Sequence, residues 1–128
     1  MAYVLLVVSL ALLQFVWFGI EVGRARAKYN CPAPATTGNE MFERSFRVQM
    51  NTLEQLVVFL PSIFLFAQQV SATWAAGLGV VYLVGRTLFF FSYVRDPKSR
   101  GLGFMLTMTP NLVMVIGTLV AAVRSLLG

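Results

Sequence analysis

Residues 55–85 read QLVVFLPSIFLFAQQVSATWAAGLGVVYLVG, 31 residues without a charge. As one helix this stretch would be about 46 Å long at 1.5 Å per residue. A bilayer core is only about 30 Å thick. Near the middle lies a polar break, Gln68-Gln69-Val70-Ser71-Ala72-Thr73. The stretch therefore reads as two helices folded back on each other. Each arm then holds only about a dozen apolar residues, short of the roughly 20 a crossing needs. To span, the first arm must extend back through Glu54, Asn51 and Arg47, and the second forward through Arg86 to Tyr93.

Two further uncharged runs flank this hairpin, Met1 to Ile20 and Gly101 to Val123. The first reads as a retained span, because no basic segment precedes it and no small-residue cleavage site follows. Pro32, Pro34 and Gly38 interrupt the loop after it. Pro61 and Pro110 fall inside the second and fourth spans and should kink them. The expectation is a single all-α domain over 1–128, an integral membrane antiparallel four-helix bundle with spans at about 2–26, 43–69, 73–95 and 101–124.

Composition agrees with that reading. Hydrophobic residues are 58 % and charged residues 12 %, against roughly 45–50 % and about 25 % in soluble domains. A soluble globule of 128 residues would need more polar surface than this. The formal net charge of +5 sits between apolar runs and not in a polar basic patch, so a nucleic-acid partner is not expected. Without histidine there is no His-ligated metal, and the lone Cys31 forms neither an intrachain disulfide nor a multi-cysteine metal site. Arg24, Arg26, Lys28, Arg44, Arg95, Lys98 and Arg100 gather at one end of the bundle, with Arg124 at the other. The positive-inside rule puts those basic loops in the cytoplasm. A bacterial inner membrane is favoured by the compact chain, with the endoplasmic reticulum also open.

Function must lie in the polar residues of the spans. Ionisable groups at that depth cost about 2.5–3.5 kcal/mol each on insertion scales, so they face partners or a wet cavity. Arg47, Asn51 and Glu54 share one helix face by their i, i+4, i+7 spacing. Arg86 and Tyr93, seven apart, share another. These groups could neutralise one another, Glu54 with Arg86 and Arg47 with Glu43. Against that stand an excess of cations over acids and nearby amides and a phenol, Gln49, Asn51 and Tyr93. An anionic ligand that also carries an ammonium suits such a set.

The segment Phe42-Glu43-Arg44-Ser45-Phe46-Arg47-Val48-Gln49-Met50-Asn51-Thr52-Leu53-Glu54 resembles the second-helix signature of the MAPEG family, the membrane-associated proteins of eicosanoid and glutathione metabolism. Glu43, Arg44, Arg47, Gln49, Asn51 and Glu54 stand at the places of the pattern E-R-x-x-R-x-Q-x-N-x-x-E. Thr36-Thr37-Gly38, Gly85-Arg86, and Tyr93-Val94-Arg95 with Arg100 beyond are similar to the branch that holds leukotriene C4 synthase and the microsomal glutathione transferases. The resemblance implies a homotrimer with glutathione, as co-substrate, bound between adjacent subunits near the cytosolic face. It implies that Arg47, Asn51 and Glu54 hold the tripeptide backbone. Gln49, Tyr93 and Arg26 are further contacts on this reading, and Arg100 is the catalytic group that stabilises the thiolate. The chemistry is compatible. Carboxylates favour arginine forks, an ammonium favours a carboxylate, and a thiolate needs positive charge beside it. The implied reaction is detoxifying conjugation of a lipophilic electrophile drawn from the lipid bilayer, or reduction of a lipid hydroperoxide. Gln55 and Phe89 replace tyrosines of that branch, and Ala27 replaces a second arginine, so a broad transferase is favoured over leukotriene synthesis. Phe89, Phe90, Phe91, Trp17, Phe18 and Trp74 are candidates for a lipophilic groove or for lipid-facing anchors.

Two other classes fit less well. A non-catalytic lipid-binding scaffold of the same fold would not need the intact set Arg47, Asn51, Glu54, Tyr93 and Arg100. A small multidrug exporter would need an acid within its first span. Here that span has Gln14 inside and Glu21 only at its end.

Overall fold

A computed structural model of the chain describes residues 1–128. Helices fill it: α1 Ala2–Tyr29, α2 Glu40–Gln69, α3 Ala72–Arg95 and α4 Gly101–Leu127, with one 3-10 turn, Pro97–Ser99, before α4. There is no strand. All four α-helices are long and apolar enough to cross a membrane.

Local chemistry sets the ends. Asn39 caps α2, its Oδ1 accepting from the backbone N–H of Met41 (2.9 Å) and Phe42 (3.2 Å). Glu40 and Glu43 lie in the first turn, where the helix dipole favours acids. Ser71 caps α3 through the Trp74 N–H at 3.2 Å. Only Val70 and Ser71 separate α2 from α3, so the long uncharged stretch is a tight hairpin. Asn30, in the left-handed region at φ 54°, ends α1. Pro61 and Pro110 lie within α2 and α4, which run on through them.

The α2–α3 pair forms the centre, with α1 packed on one flank and α4 on the other. Val4, Val7, Val8 and Ala11 of α1 meet Leu56, Phe59, Ile63 and Phe66 of α2. Tyr82 of α3 stacks on Phe59 with ring centroids 3.9 Å apart. The α3 and α4 backbones come unusually close. A Cβ at Gly85 would lie 2.8 Å from the Leu106 carbonyl carbon, and one at Gly103 2.5 Å from the Phe89 nitrogen. Small residues at a crossing are how membrane helices gain van der Waals contact without a hydrophobic drive.

Large apolar side chains point outward along α1 (Leu5, Leu6, Leu13, Val16, Ile20) and α4 (Leu112, Ile116, Leu119, Val123). This outward apolar belt suits lipid, and the protein is an integral membrane protein. The loops 30–39 and 96–100 share one end of the bundle. Beside them Arg44 ties the start of α2 to the end of α3, donating to Val94 O at 3.0 Å and Arg95 O at 3.1 Å while pairing with Glu40 at 2.6 Å.

Candidate functional site

The polar strip on α2 faces outward. Arg47 and Glu54 are exposed on the single chain and Asn51 between them is half-buried. Seven residues apart, their Cα positions are separated by about 10 Å along the axis. The salt bridges that could have neutralised this strip do not form. The two ion pairs are Arg24–Glu21 (3.1 Å) and Arg44–Glu40 (2.6 Å). Glu54 misses Arg86 because Arg86 lies inside the bundle, reached from α2 by Asn51 and Thr52, while Glu54 is on the outer side.

Asn51, Phe89, Arg100 and Phe104 line a cavity of about 180 Å³. Each side chain arrives by a different route. Asn51 comes from α2 and Phe89 from α3. Arg100, which caps the start of α4, and Phe104 in its first turn are brought in because the Gly103–Phe89 approach presses that end of α4 onto α3. The turn Pro97–Ser99 sets the entry of α4. The Asp96 side chain accepts from the Lys98 N–H (3.1 Å), and Ser99 Oγ donates to Ser92 O (3.0 Å). Tyr93 stacks on Phe89 with centroids 5.4 Å apart, so it stands behind one wall.

Of the residues singled out from sequence, Asn51 and Arg100 meet in this cavity and Tyr93 adjoins it. Arg47 and Glu54 flank Asn51 on the same outer face. Gln49 turns toward α1, where its Nε2 lies 3.1 Å from the place a Gly19 Cβ would take. Arg26 engages its own loop through one guanidinium nitrogen. Its Nη1 donates to Ala35 O (2.7 Å) and Cys31 O (3.1 Å), and its guanidinium lies 4.8 Å over the Phe42 ring. Within one chain, then, Arg26 and Gln49 stand on the α1 side of α2 and the other five near α2's opposite edge. Gln55 accepts from Asn111 Nδ2 at 3.3 Å and so links α2 to α4.

A second, open groove of about 710 Å³ lies at the loop end, lined in part by Glu21, Arg24, Lys28, Tyr29, Met41 and Ser45. None of the expected site residues borders it.

The sequence offers Glu54 as a partner for the intramembrane cation Arg86, and the fold gives it others. It is fully buried, and it donates to Asn51, Thr52 and Thr107. The signal available was a threonine on each neighbouring helix, and nothing local says that both face the same guanidinium.

Residues 4–120 match the family model described as MAPEG family. The chain is 47 % identical over 116 residues to an uncharacterized protein of Synechocystis sp., covering 91 % of this chain and 85 % of that one. It is 38 % identical over 95 residues to microsomal glutathione S-transferase 2 of Homo sapiens, covering 74 % of this chain and 65 % of that one. It is 34 % identical over 94 residues to leukotriene C4 synthase of Cavia porcellus, covering 73 % of this chain and 63 % of that one. The matched region thus spans somewhat less than two thirds of these two animal relatives.

Proposed function

The chain belongs to the MAPEG family, and on that footing we propose that it is a membrane-embedded glutathione transferase acting as a homotrimer. The observation that carries the proposal is the outward strip Arg47–Asn51–Glu54. Charges exposed at the depth of a span are costly unless something covers them. A second copy with a bound zwitterion covers them, and a tripeptide, extended at about 3.3–3.6 Å per residue, is about 10 Å long. That length matches the Arg47-to-Glu54 rise. The split of the expected residues between two sides of α2 supports a site shared by adjacent subunits. One subunit offers Arg47, Asn51, Glu54, Tyr93 and Arg100, and its neighbour offers Gln49 and Arg26.

In this reading the Glu54 carboxylate takes the glutathione ammonium, and Arg47 takes a carboxylate. Arg100 stands beside the thiol sulfur and favours its ionised form. The proton leaves to water. The sulfur lone pair then attacks an electrophilic carbon of a bilayer-dissolved substrate, and the leaving group departs with its bonding pair. Proximity and fixed positive charge supply the rate. The basic loops face the cytoplasm, where glutathione is dissolved, and the bacterial inner membrane is the favoured location.

The test is ultraviolet difference spectroscopy of the purified protein with glutathione near neutral pH, beside calorimetry of the same mixture. Thiolate absorbance with saturable heat supports the transferase. Saturable heat without thiolate absorbance points to a binding protein, and no heat at millimolar glutathione overturns the proposal.

A further inference from the structure

Behind the wall of the 180 Å³ cavity stands a cation that the proposed reaction leaves unused. Arg86 is fully buried and no carboxylate pairs with it. Its Nη1 donates to Asn51 Oδ1 at 2.8 Å and to Thr52 Oγ1 at 3.2 Å, and its Nε donates to Thr107 Oγ1 at 3.0 Å. Its Nη2 is buried without a partner. Its Cζ lies 4.3 Å over the ring of Phe89. Two of the residues it engages, Asn51 and Phe89, are two of the four that line the cavity.

The polarity of this cluster is fixed by chemistry. A guanidinium has five donors and no acceptor. Thr52 Oγ1 donates to Val48 O (2.7 Å) and Thr107 Oγ1 to Gly103 O (2.9 Å), so each hydroxyl faces Arg86 only as an acceptor. The Asn51 atom that meets Arg86 must likewise be its carbonyl oxygen. Its Nδ2 makes no hydrogen bond within the chain and is left to the cavity side. An asparagine without such a neighbour could present either end of its amide.

We infer that Arg86 is a positioning residue that locks Asn51 as a hydrogen-bond donor toward the cavity, so that Asn51 reads an acceptor oxygen of the bound thiol peptide. The inference rests on the glutathione reading above and names the polarity of the ligand group that enters here. A carbonyl or carboxylate oxygen fits this wall. The ligand's ammonium does not, and is left to Glu54.

The experiment measures glutathione affinity by calorimetry, and KM and kcat for conjugation, on the full chain in detergent. Asn51→Asp keeps an acceptor for Arg86 but has no Nδ2. It is expected to weaken glutathione binding about tenfold or more, as much as Asn51→Ala does. Arg86→Met should raise KM about tenfold with kcat within about threefold, and adding Asn51→Ala to it should cost little more, because both remove one interaction. Arg86→Lys should recover part of the loss. Asn51→Asp binding like the unaltered protein, multiplying effects of Arg86→Met and Asn51→Ala, or a fall in kcat at constant KM would each overturn the inference. Should Arg86→Met fail to fold, the Asn51→Asp comparison decides by itself. An unaltered protein that binds no glutathione sinks the transferase reading and this inference together. Unchanged binding in Asn51→Asp, with the unaltered protein binding normally, sinks only the latter.

Discussion

Gly103 lies against the backbone of Phe89 so closely that a Cβ there would stand 2.7 Å from the Phe89 Cα and 2.9 Å from Gly85 O. Neither neighbour is a flexible side-chain end that can swing aside. Gly103→Ala must therefore push α4 away from α3. Overpacking of this kind costs about 1–3 kcal/mol. The same shift moves Arg100 and Phe104, which precede and follow Gly103, relative to Asn51. Thermal unfolding in detergent should fall, and glutathione affinity should fall with it. By contrast, Gly23→Ala meets open space within α1 and should hold the unfolding temperature or raise it slightly, alanine being the better helix former.

Arg100 is exposed at the mouth of its cavity, so removing it leaves no buried group unpaired. Arg100→Ala should keep the melting temperature and most of the glutathione affinity. Its kcat for conjugation of a chlorinated nitrobenzene should drop by about 10²–10³, the size of effect seen when one preorganised charge stabiliser is lost. The thiolate absorbance near neutral pH should vanish. A fully active variant removes Arg100 from the catalytic role.

Glu54 has no partner within the chain. Glu54→Gln should therefore leave stability unaltered in the detergent-solubilised protein. If the carboxylate receives the ligand ammonium, the loss is a charge-assisted hydrogen bond, about 1.5–3 kcal/mol. KM for glutathione should rise by about ten- to a hundredfold with kcat much less affected. A ligand analogue lacking the amino group should bind both proteins alike.

Arg26 holds the loop 30–39 through Cys31 O and Ala35 O. Arg26→Ala should leave two carbonyls short of a donor and raise proteolytic cleavage within 32–38. Limited proteolysis timed against the unaltered protein checks this. A concurrent rise in KM would show that the loop, or Arg26 itself, also serves the site of an adjacent subunit. Faster cleavage with constant KM would confine Arg26 to the loop.

Much of the candidate site's geometry was legible because its spacing is local. Arg47, Asn51 and Glu54 lie on one face of α2 by helix geometry alone, and they do share the outward face. Tyr93 follows Phe89 by one turn, so their stacking was also a matter of period. The pairing of Arg86 was not legible, because Thr52 and Thr107 are 55 residues apart and meet only through the crossing of two helices on a third. Likewise Gln55, which reads as a lost phenol, spends its carbonyl on Asn111 of α4. Arg26 looks like any basic residue at a span's end until the loop after it folds back under its guanidinium.

Hydrophobic run lengths, caps and turn residues suffice for the number of helices, the α2–α3 hairpin and the end of the bundle that carries the cations. Each follows from the order and length of segments along the chain, with no need to know which helix packs on which. Which cation is spent on structure and which faces a cavity came only with the tertiary arrangement. Arg86, Arg26 and Arg100 carry the same side chain. Their fates differ because the close α3–α4 crossing at Gly85 and Gly103 brings acceptors to Arg86, the folded-back loop brings them to Arg26, and neither brings a partner to Arg100.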